Sequence, residues 1–446
     1  MTCCLRARFA HVSYTTGGKG ERESIMVPSY SHFSDSVEAE SAFTVLGVAK
    51  RLAAEGKDVI ELEIGDSPFP TTPNAMSAGI QAIQDGLTRY GPTPGLPEFR
   101  VAASEYVNRE YGLNTAPENI LASPGAKIVE QFFCEAFINP GDAVLVFSPH
   151  FPTYGPNIAR RGGRMCLSTL KVTNNFRPDL EDVRRFLTED ASAKAIFLNS
   201  PQNPTGGVVP REDLEALAAL IRGRDVAVFS DEPYDRMAWS GQHHSLLGQP
   251  GMIDQTVAAY SFSKSFSMGG WRLGFAVAST PTIELMTTLT NTTLSCVPPF
   301  TQMAGIAGMR YDLELRNERM EEFRRKVRLL ATGLNEIDGI SCLMPGGCFY
   351  VFPSISGVCD RLGITSHGLA MYLLEGADDD KGVACLGGEC FGEAGRGFLR
   401  LSCSEPDERL AQAVSFMADA VRRKERVEAY LIEHEEYRLS EPYGFE

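Results

Sequence analysis

Between residues 143 and 278, short apolar runs alternate with stretches whose apolar residues recur at helical spacing. Five runs have the length of a strand and are apolar on both faces: 143–147, 195–199, 226–230, 256–260 and 274–278. Strands of this kind belong to a sheet that is covered on both sides, and such sheets are mostly parallel. Between two of them, "PREDLEALAALIRGRD" has the proline, the early acids and the late basic residues of a helix. The pattern predicts an α/β fold.

The pattern changes from about Asp312. A long charged amphipathic stretch follows, then "FYVF", "FLRLS" and a final helical run from Asp407. Such a change predicts a second, smaller α+β domain. We divide the chain into an extension expected to be disordered (1–25), an arm with part of the small domain (26–75), a large domain (76–310) and a small C-terminal domain (311–446), with Met26 as a candidate alternative start.

Composition narrows the class of partner. The 446 residues are 43% hydrophobic and 22% charged, as in an ordinary globular enzyme. The net charge of −15 argues against nucleic acid or an anionic membrane as a partner and favours a small molecule. The 11 cysteines form no C-x-x-C pair and no Cys/His cluster at zinc spacing, and neither a membrane span nor a signal peptide is found. We expect a cytoplasmic protein with reduced thiols and no metal.

Polar residues follow three of the predicted strands. They are Asn203 after 195–199, Asp231 and Tyr234 after 226–230, and Ser261, Ser263 and Lys264 after 256–260. Ligands of open α/β sheets bind beyond the carboxyl ends of the strands, so these groups predict one shared site. Lys264 lies in "SFSKSFSMGGWRLGF", among apolar residues and glycines where a lysine is seldom buried without a partner. The alternative is a lysine whose stem packs on the core while its ammonium reaches solvent.

Four motifs carry a family resemblance. "NPTG", "SDEPY", "SFSK…GGWRLGF" and "FLRLS", in this order and spacing, resemble the fold-type I aminotransferases that use pyridoxal 5′-phosphate (PLP), the aspartate aminotransferase superfamily. The likeness covers roughly residues 40 to 425. It implies a large domain with a mostly parallel seven-stranded sheet covered by helices, and a smaller α+β domain. It also implies transfer of an amino group from an L-amino acid to a 2-oxo acid.

The resemblance assigns roles around the cofactor ring. Lys264 forms an imine with the cofactor's aldehyde and, once freed, acts as the base at the substrate Cα. Asp231 keeps the pyridine nitrogen protonated, which the electron sink requires. Tyr234 and Asn203 hydrogen-bond the ring oxygen, and Phe151 in "SPHF" stacks on the ring. Without the resemblance, an aspartate that follows a strand favours the alternative of a structural salt-bridge partner.

Further groups are implied for the phosphate and the substrate. The phosphate is held by a helix start, two hydroxyls and a guanidinium: the backbone of Gly125, Ala126 and Lys127, the side chains of Ser261 and Ser263, and Arg272. Arg400 in "FLRLS" grips the substrate α-carboxylate in a bidentate pair, with Asn203 and the backbone near Gly65 beside it.

Assembly is implied by Tyr90 in "RYGPTPG". In the resemblance this tyrosine reaches the phosphate of the neighbouring subunit, which predicts a homodimer with shared active sites. The Pro and Gly residues at 91–97 suit an extended loop better than a helix. The alternative is an ordinary surface turn.

Two departures from the family pattern leave roles open. His150 stands in "SPHF" where a tyrosine is common, and Asp66 in "IGDSPFPTTP" stands near the expected path of the substrate side chain. The donor and acceptor are therefore not identified.

Other functional classes match parts of the sequence. "SFSK" could supply the Ser261 nucleophile and Lys264 base of a penicillin-binding type enzyme, but neither S-D-N nor K-T-G is present. The same fold also carries PLP-dependent lyases such as aminocyclopropane-carboxylate synthases, and a cofactor-binding protein without turnover is a third class.

Overall fold

The computed structural model describes residues 30–31, 33–34, 37 and 40–444. The predicted extension 1–25 and Met26 lie outside the described residues. The α-helices are α1 (Ser41–Ala54), α2 (Pro73–Gln84), α3 (Pro97–Tyr111), α4 (Ala126–Phe137), α5 (Tyr154–Arg160), α6 (Leu180–Glu189), α7 (Arg211–Ile221), α8 (Thr280–Leu294), α9 (Pro299–Tyr311), α10 (Leu313–Leu334), α11 (Ser356–Leu362), α12 (Ser366–Met371), α13 (Asp407–Ala420) and α14 (Lys424–Glu433).

The strands form one large sheet and two small ones. They are β1 (Asp58–Glu61), β2 (Ile120–Ser123), β3 (Ala143–Ser148), β4 (Arg164–Thr169), β5 (Ala193–Asn199), β6 (Ala227–Asp231), β7 (Thr256–Ser261), β8 (Gly274–Val277), β9 (Tyr350–Val351), β10 (Lys381–Ala384), β11 (Leu386–Gly387) and β12 (Leu399–Ser402). All five strands predicted from apolar runs are confirmed.

The large sheet has seven strands in the order β2-β8-β7-β6-β5-β3-β4. Its neighbours run parallel except that β8 is antiparallel to both β2 and β7. The predicted seven-stranded, mostly parallel sheet is confirmed. The edge strand β4 escaped the apolar-run criterion because it is only partly covered and contains Arg164, Ser168 and Thr169.

Helices cover both faces of this sheet. Along β3, Val144 and Val146 join a core that includes Phe133 of α4, whereas Leu145 joins the core that includes Leu214 of α7. Successive side chains of a strand point to opposite faces, so a strand covered on both sides must be apolar at every position. This is the physical reason for the uninterrupted apolar runs.

The small sheets bring the two ends of the chain together. β1 pairs in parallel with β10, and β12 lies between β11 and β9 in an antiparallel sheet. Beyond β1, Leu62 N–H donates to Ala384 O (2.9 Å), and Ser402 N–H donates to Leu62 O (2.8 Å). The segment after β1 therefore lies beside β12, which carries Arg400. The domain boundaries given above stay a prediction.

The described residues bear on two further expectations. None of the helices within residues 40–444 is long and apolar enough to cross a bilayer. All nine cysteines of the described part are free thiols, and the same part contains no cluster of three His, Cys, Asp or Glu side chains suited to a metal ion.

Candidate active site

The site forms where β5, β6 and β7 end side by side. These strands are parallel neighbours, so their carboxyl ends meet at one edge of the sheet. At this edge Asn199 pairs in register with Asp231, and its amide donates to Asp231 O at 2.8 Å. The polar residues predicted after the three strands are brought to the same edge.

Lys264 projects into this site. Its ammonium donates to Gly65 O at 2.6 Å and lies 5.8 Å from the Tyr234 ring centre and 5.9 Å from that of Phe349. The pKa of Lys264 is lowered to about 8, mainly by burial; Asp66 opposes the shift and Arg400 adds to it. The site therefore holds an amine that loses its proton near neutral pH, as imine formation requires.

Asp231 is a buried acid with one strong donor. Its side chain is only 8% exposed and accepts a hydrogen bond from the Tyr154 hydroxyl at 2.6 Å. Burial raises the pKa of Asp231 to about 6, and the Tyr154 bond opposes this. An anion held here suits a protonated pyridine nitrogen, since a buried charge needs a partner of opposite sign.

A chain of polar contacts joins Arg400 to two of the residues predicted to bind the cofactor ring. Arg400 Nη1 donates to Asn203 Oδ1 (3.2 Å), Asn203 Nδ2 donates to the Tyr234 hydroxyl (3.4 Å), and the hydroxyls of Tyr234 and Tyr350 are 3.0 Å apart. All four side chains are buried. The contacts connect β12 and β9 to the loops after β5 and β6, so three of the predicted residues form one connected group.

Arg400 is buried without a carboxylate partner among residues 40–444. Its guanidinium lies 4.4 Å from the Tyr350 ring centre and 5.0 Å from that of Phe391, and its Nη2 donates to the backbone oxygen of Glu63. A cation held by π faces and neutral acceptors keeps its charge for an incoming anion. A substrate carboxylate meets this requirement.

The residues predicted to bind the cofactor phosphate lie close together at the start of α4. Gly125 is the N-cap with φ of +91°, and a Cβ there would lie 2.6 Å from Arg272 Nη2. Arg272 donates to Pro124 O (2.8 Å) and Gly269 O (2.9 Å), while Ser261 Oγ accepts from the Ser263 N–H (3.2 Å). Only glycine leaves room for the guanidinium beside the free N–H groups of the helix, which begins with Ala126 and Lys127.

Phe151 and His150 have different surroundings. The Phe151 ring is partly exposed, with the Lys127 ammonium 5.3 Å from its centre. His150 is buried; its Nδ1 donates to Phe151 O at 3.0 Å and its ring stacks on Tyr154 at 6.1 Å. Burial lowers the pKa of His150. His150 thus supports the Tyr154 side chain, and the stacking role of Phe151 stays a prediction.

Tyr90 is not brought to the other predicted residues within this chain. Its side chain is 90% exposed. Its loop is nevertheless fixed, because Gly91 N–H donates to Cys296 Sγ (3.3 Å) and Ala122 N–H donates to Pro94 O (3.0 Å). The extended loop expected at 91–97 is found up to Leu96, and α3 begins at Pro97.

The sequence analysis missed three residues of the site. Tyr154 lies four residues after His150, Tyr350 lies in "CFYVF", and Glu63 lies in "ELEIG". An aromatic residue close behind a strand end was the available signal for Tyr154. The positions of Tyr350 and Glu63 depend on the small sheets, whose strands come from distant parts of the chain.

The fold and the site together define the class of protein. Residues 57–417 match the family "Aminotransferase class I and II", and the chain belongs to this family. It is 33% identical over 377 residues to an aspartate aminotransferase of Pyrococcus abyssi, covering 84% of this chain and 94% of the relative.

Solved structures agree. The aspartate aminotransferase of Thermus thermophilus with maleate superposes with a TM-score of 0.82 at 30% identity, over 88% of this chain and 100% of that one. An aromatic aminotransferase of Pyrococcus horikoshii gives 0.77 at 31% identity, over 85% and 100%. The protein is an aminotransferase, and the predictions of family, fold class and enzyme type are confirmed. The acyl-enzyme, lyase and non-catalytic interpretations are not supported.

Enzymes of this family use PLP, and the residues present fit it. The amine of Lys264 has a lowered pKa, Asp231 is a buried acid, and a Cβ at Gly125 would fill the cradle expected for the phosphate. When bound, the cofactor supplies an electron sink that stabilises negative charge at the substrate Cα.

Proposed function

We propose that the chain transfers the amino group of an L-amino acid with Lys264 as the proton carrier at the substrate Cα. The observation that carries this proposal is the Lys264 ammonium, bonded to Gly65 O in the site that also holds Arg400 and Asp231. With its pKa near 8, the amine can take a proton and return it at neutral pH. The bond to Gly65 O gives the free ammonium a fixed resting position.

Asp231 and the Asn203–Tyr234 pair act on the cofactor ring. Asp231 supplies the anion that keeps the pyridine nitrogen protonated, and Tyr154 keeps that anion in place. The Tyr234 hydroxyl and the Asn203 amide are 3.4 Å apart, so both can hydrogen-bond one ring oxygen. These roles rest on the placement of the side chains at one strand edge.

Arg400 binds the substrate α-carboxylate, and we infer aspartate as the amino donor. Two observations support this inference. Similar proteins are named aspartate aminotransferases. Lys127 is a second cation, and its charge contributes to lowering the pKa of Lys264. The Lys127 ammonium pairs with Glu40. A side-chain carboxylate of the donor could take the place of Glu40 on Lys127. An aromatic donor is the second candidate, since an aromatic aminotransferase is also similar.

A half-reaction assay tests the function. The purified enzyme is mixed with single amino acids, and the absorbance change that marks amino transfer to the cofactor is followed. We expect turnover with aspartate in the wild type and none in Lys264→Ala, which retains cofactor without a covalent linkage. Release of ammonia without the absorbance change would indicate a lyase. A Lys264→Ala enzyme that still linked the cofactor covalently would contradict the role of Lys264.

The assembly proposal is a homodimer in which Tyr90 completes the partner's phosphate site. It is supported by a side chain that is 90% exposed on a loop whose backbone is fixed at Gly91 and Pro94. An ordered loop that presents a large exposed tyrosine is typical of a contact surface. A cytoplasmic location is proposed with it, consistent with nine free thiols in the described residues.

Mixed dimers test the shared site. Inactive Lys264→Ala and impaired Tyr90→Ala chains are combined under exchange conditions. If Tyr90 serves the partner, one site of each mixed dimer carries both changes and the other carries neither, so part of the activity returns. No recovery in dimers shown to be mixed would assign Tyr90 to its own subunit or to no site.

A further inference from the structure

Glu63 is a buried carboxyl group beside the substrate arginine. Its side chain has no exposed surface, and neither carboxyl oxygen has a hydrogen-bond partner on another described residue. The backbone oxygen of Glu63 accepts a hydrogen bond from Arg400 Nη2. Arg400 Nε is also buried without a partner among residues 40–444. Burying an acid without a hydrogen-bond donor costs free energy, so a functional reason for the burial of Glu63 is expected.

The charged neighbours of Glu63 come from several elements. Glu61, the last residue of β1, precedes it by two positions, Lys50 of α1 and Arg400 of β12 act on its charge, and the Cys385 thiol lies just after β10. Glu405 acts on the same Lys50. Lys50 is already paired with Glu61 at 2.7 Å, which leaves Arg400 as the buried cation available to Glu63.

The groups around Glu63 shift its pKa in opposite directions. The pKa of Glu63 is raised to about 7, mainly by burial and in smaller part by the charge of Glu61. The group's own backbone N–H, Lys50 and Arg400 lower the pKa. Glu63 therefore changes charge near neutral pH, at the point where a substrate anion is expected to meet Arg400.

We propose that Glu63 is a proton-linked counter-charge of Arg400, anionic when Arg400 is free and protonated when a substrate carboxylate is bound to it. The proposal rests on the proposed function, in which Arg400 binds that carboxylate. It makes Glu63 a positioning residue that acts through Arg400. In the free enzyme, ionised Glu63 balances the positive charge of the buried guanidinium. It does so without a direct ion pair that the substrate would have to break.

The direction of the pH effect follows from charge. A carboxylate bound to Arg400 cancels the positive charge that favours ionised Glu63 and adds a negative charge nearby, so the pKa of Glu63 rises on binding. Binding then takes up a proton from solvent, and Glu63 carries it as a neutral acid. By linkage, the affinity for carboxylates decreases as pH rises above the Glu63 pKa of the free enzyme, about 7.

Calorimetry on the cofactor-loaded enzyme tests the proposal. The probes are maleate and 3-phenylpropionate, unreactive anions that share a carboxylate, titrated at pH 7.5 in buffers of different ionisation enthalpy. The wild type should take up a substantial fraction of one proton. Glu63→Gln should take up a clearly smaller fraction of a proton. Its loss of affinity for the probes between pH 6 and pH 8.5 should be several-fold smaller than that of the wild type. Glu55→Gln, at an exposed ion pair with Arg51 just before β1, is the matched control and should behave as the wild type.

Two results would overturn the proposal. Equal proton uptake in wild type and Glu63→Gln would assign the proton to another group. Absence of buffer-dependent heat in the wild type would refute it even if Glu63→Gln failed to fold. Failure of the proposed function is distinguishable: binding of either probe that survived in Arg400→Ala, or an enzyme that bound neither probe, would remove Arg400 as the carboxylate site.

Discussion

Asp231 and Glu63 are both buried acids in the candidate active site or beside it, but they differ in their hydrogen-bond donors. Asp231 receives a hydrogen bond from Tyr154 at 2.6 Å, whereas Glu63 receives none from another described residue. A donor stabilises the ionised form of an acid, and burial without a donor favours the neutral form. The donor therefore favours an anion at Asp231, whereas Glu63 beside Arg400 lacks such a donor and takes up a proton more readily.

The largest effect is expected from removing the negative charge of Asp231. Asp231→Asn keeps the shape of the side chain but cannot hold the pyridine nitrogen protonated. We expect kcat to fall about 10³-fold, the upper range for loss of one electrostatic group that acts on the transition state. Asp225→Asn, at an exposed salt bridge before β6, is the control and should leave kcat unchanged. A comparable fall in both variants would indicate a general loss of structure.

At the other end, the largest effect is expected from Arg400→Lys. Lysine keeps the positive charge but lacks the planar pair of donors that a carboxylate accepts in parallel. A loss of about 2 to 3 kcal/mol lowers kcat/KM by about 10²-fold, mainly through KM. Steady-state kinetics with the best donor measure this. Arg396→Lys, in the loop before β12 and paired with Glu393, should match the wild type; an unchanged KM in Arg400→Lys would contradict the carboxylate role.

A smaller effect sharpens the comparison directly. Tyr154→Phe removes the donor of Asp231 and so makes its environment resemble that of Glu63. The pKa of Asp231 should rise, and since its anion is the active form, activity should be lost at a higher pH than in the wild type as the solution is acidified. We expect kcat/KM to be several-fold lower at pH 6 and nearly unchanged at pH 8.5. A pH-independent decrease would mean that Tyr154 acts by packing alone.

The smallest expected effect concerns stability. The folded-state pKa of Glu63, about 7, lies above its ordinary value of 4.5, so the folded protein binds more protons and loses stability as pH rises between these values. Glu63→Gln removes this loss. Relative to the wild type, the variant should gain about 1 to 2 kcal/mol of unfolding free energy on going from pH 5 to pH 8, an amount below the full linkage value. Thermal unfolding at both pH values measures this gain. The prediction is contradicted if the unfolding free energy changes by the same amount between pH 5 and pH 8 in the wild type and in the variant.

The sequence predicted one end of the site better than the other. Asn203, Asp231 and Lys264 follow strands of a sheet whose apolar runs are plain in the sequence, so their shared edge follows from parallel pairing. Arg400 was assigned only through the family resemblance, because its strand has four residues and belongs to a small antiparallel sheet.

Glu63 could not have been found from the sequence. Its burial arises because the segment after β1 is held between Ala384 and Ser402, more than 300 residues away. Nothing local in "ELEIG" distinguishes it from Glu61, which remains partly exposed and paired with Lys50. β1 ends at Glu61, and the long-range pairing of the segment that follows it buries Glu63.

The contact between Gly65 and Tyr350 limits how this enzyme can be redesigned. A Cβ at Gly65 would lie 1.8 Å from the Tyr350 hydroxyl, and the Gly65 carbonyl is the acceptor for Lys264. Any larger residue would displace the backbone that positions the amine together with the phenol that contacts Tyr234. Libraries that seek new amino donors should therefore keep Gly65 and Tyr350 constant and vary the exposed Asp66, whose charge also acts on the pKa of Lys264.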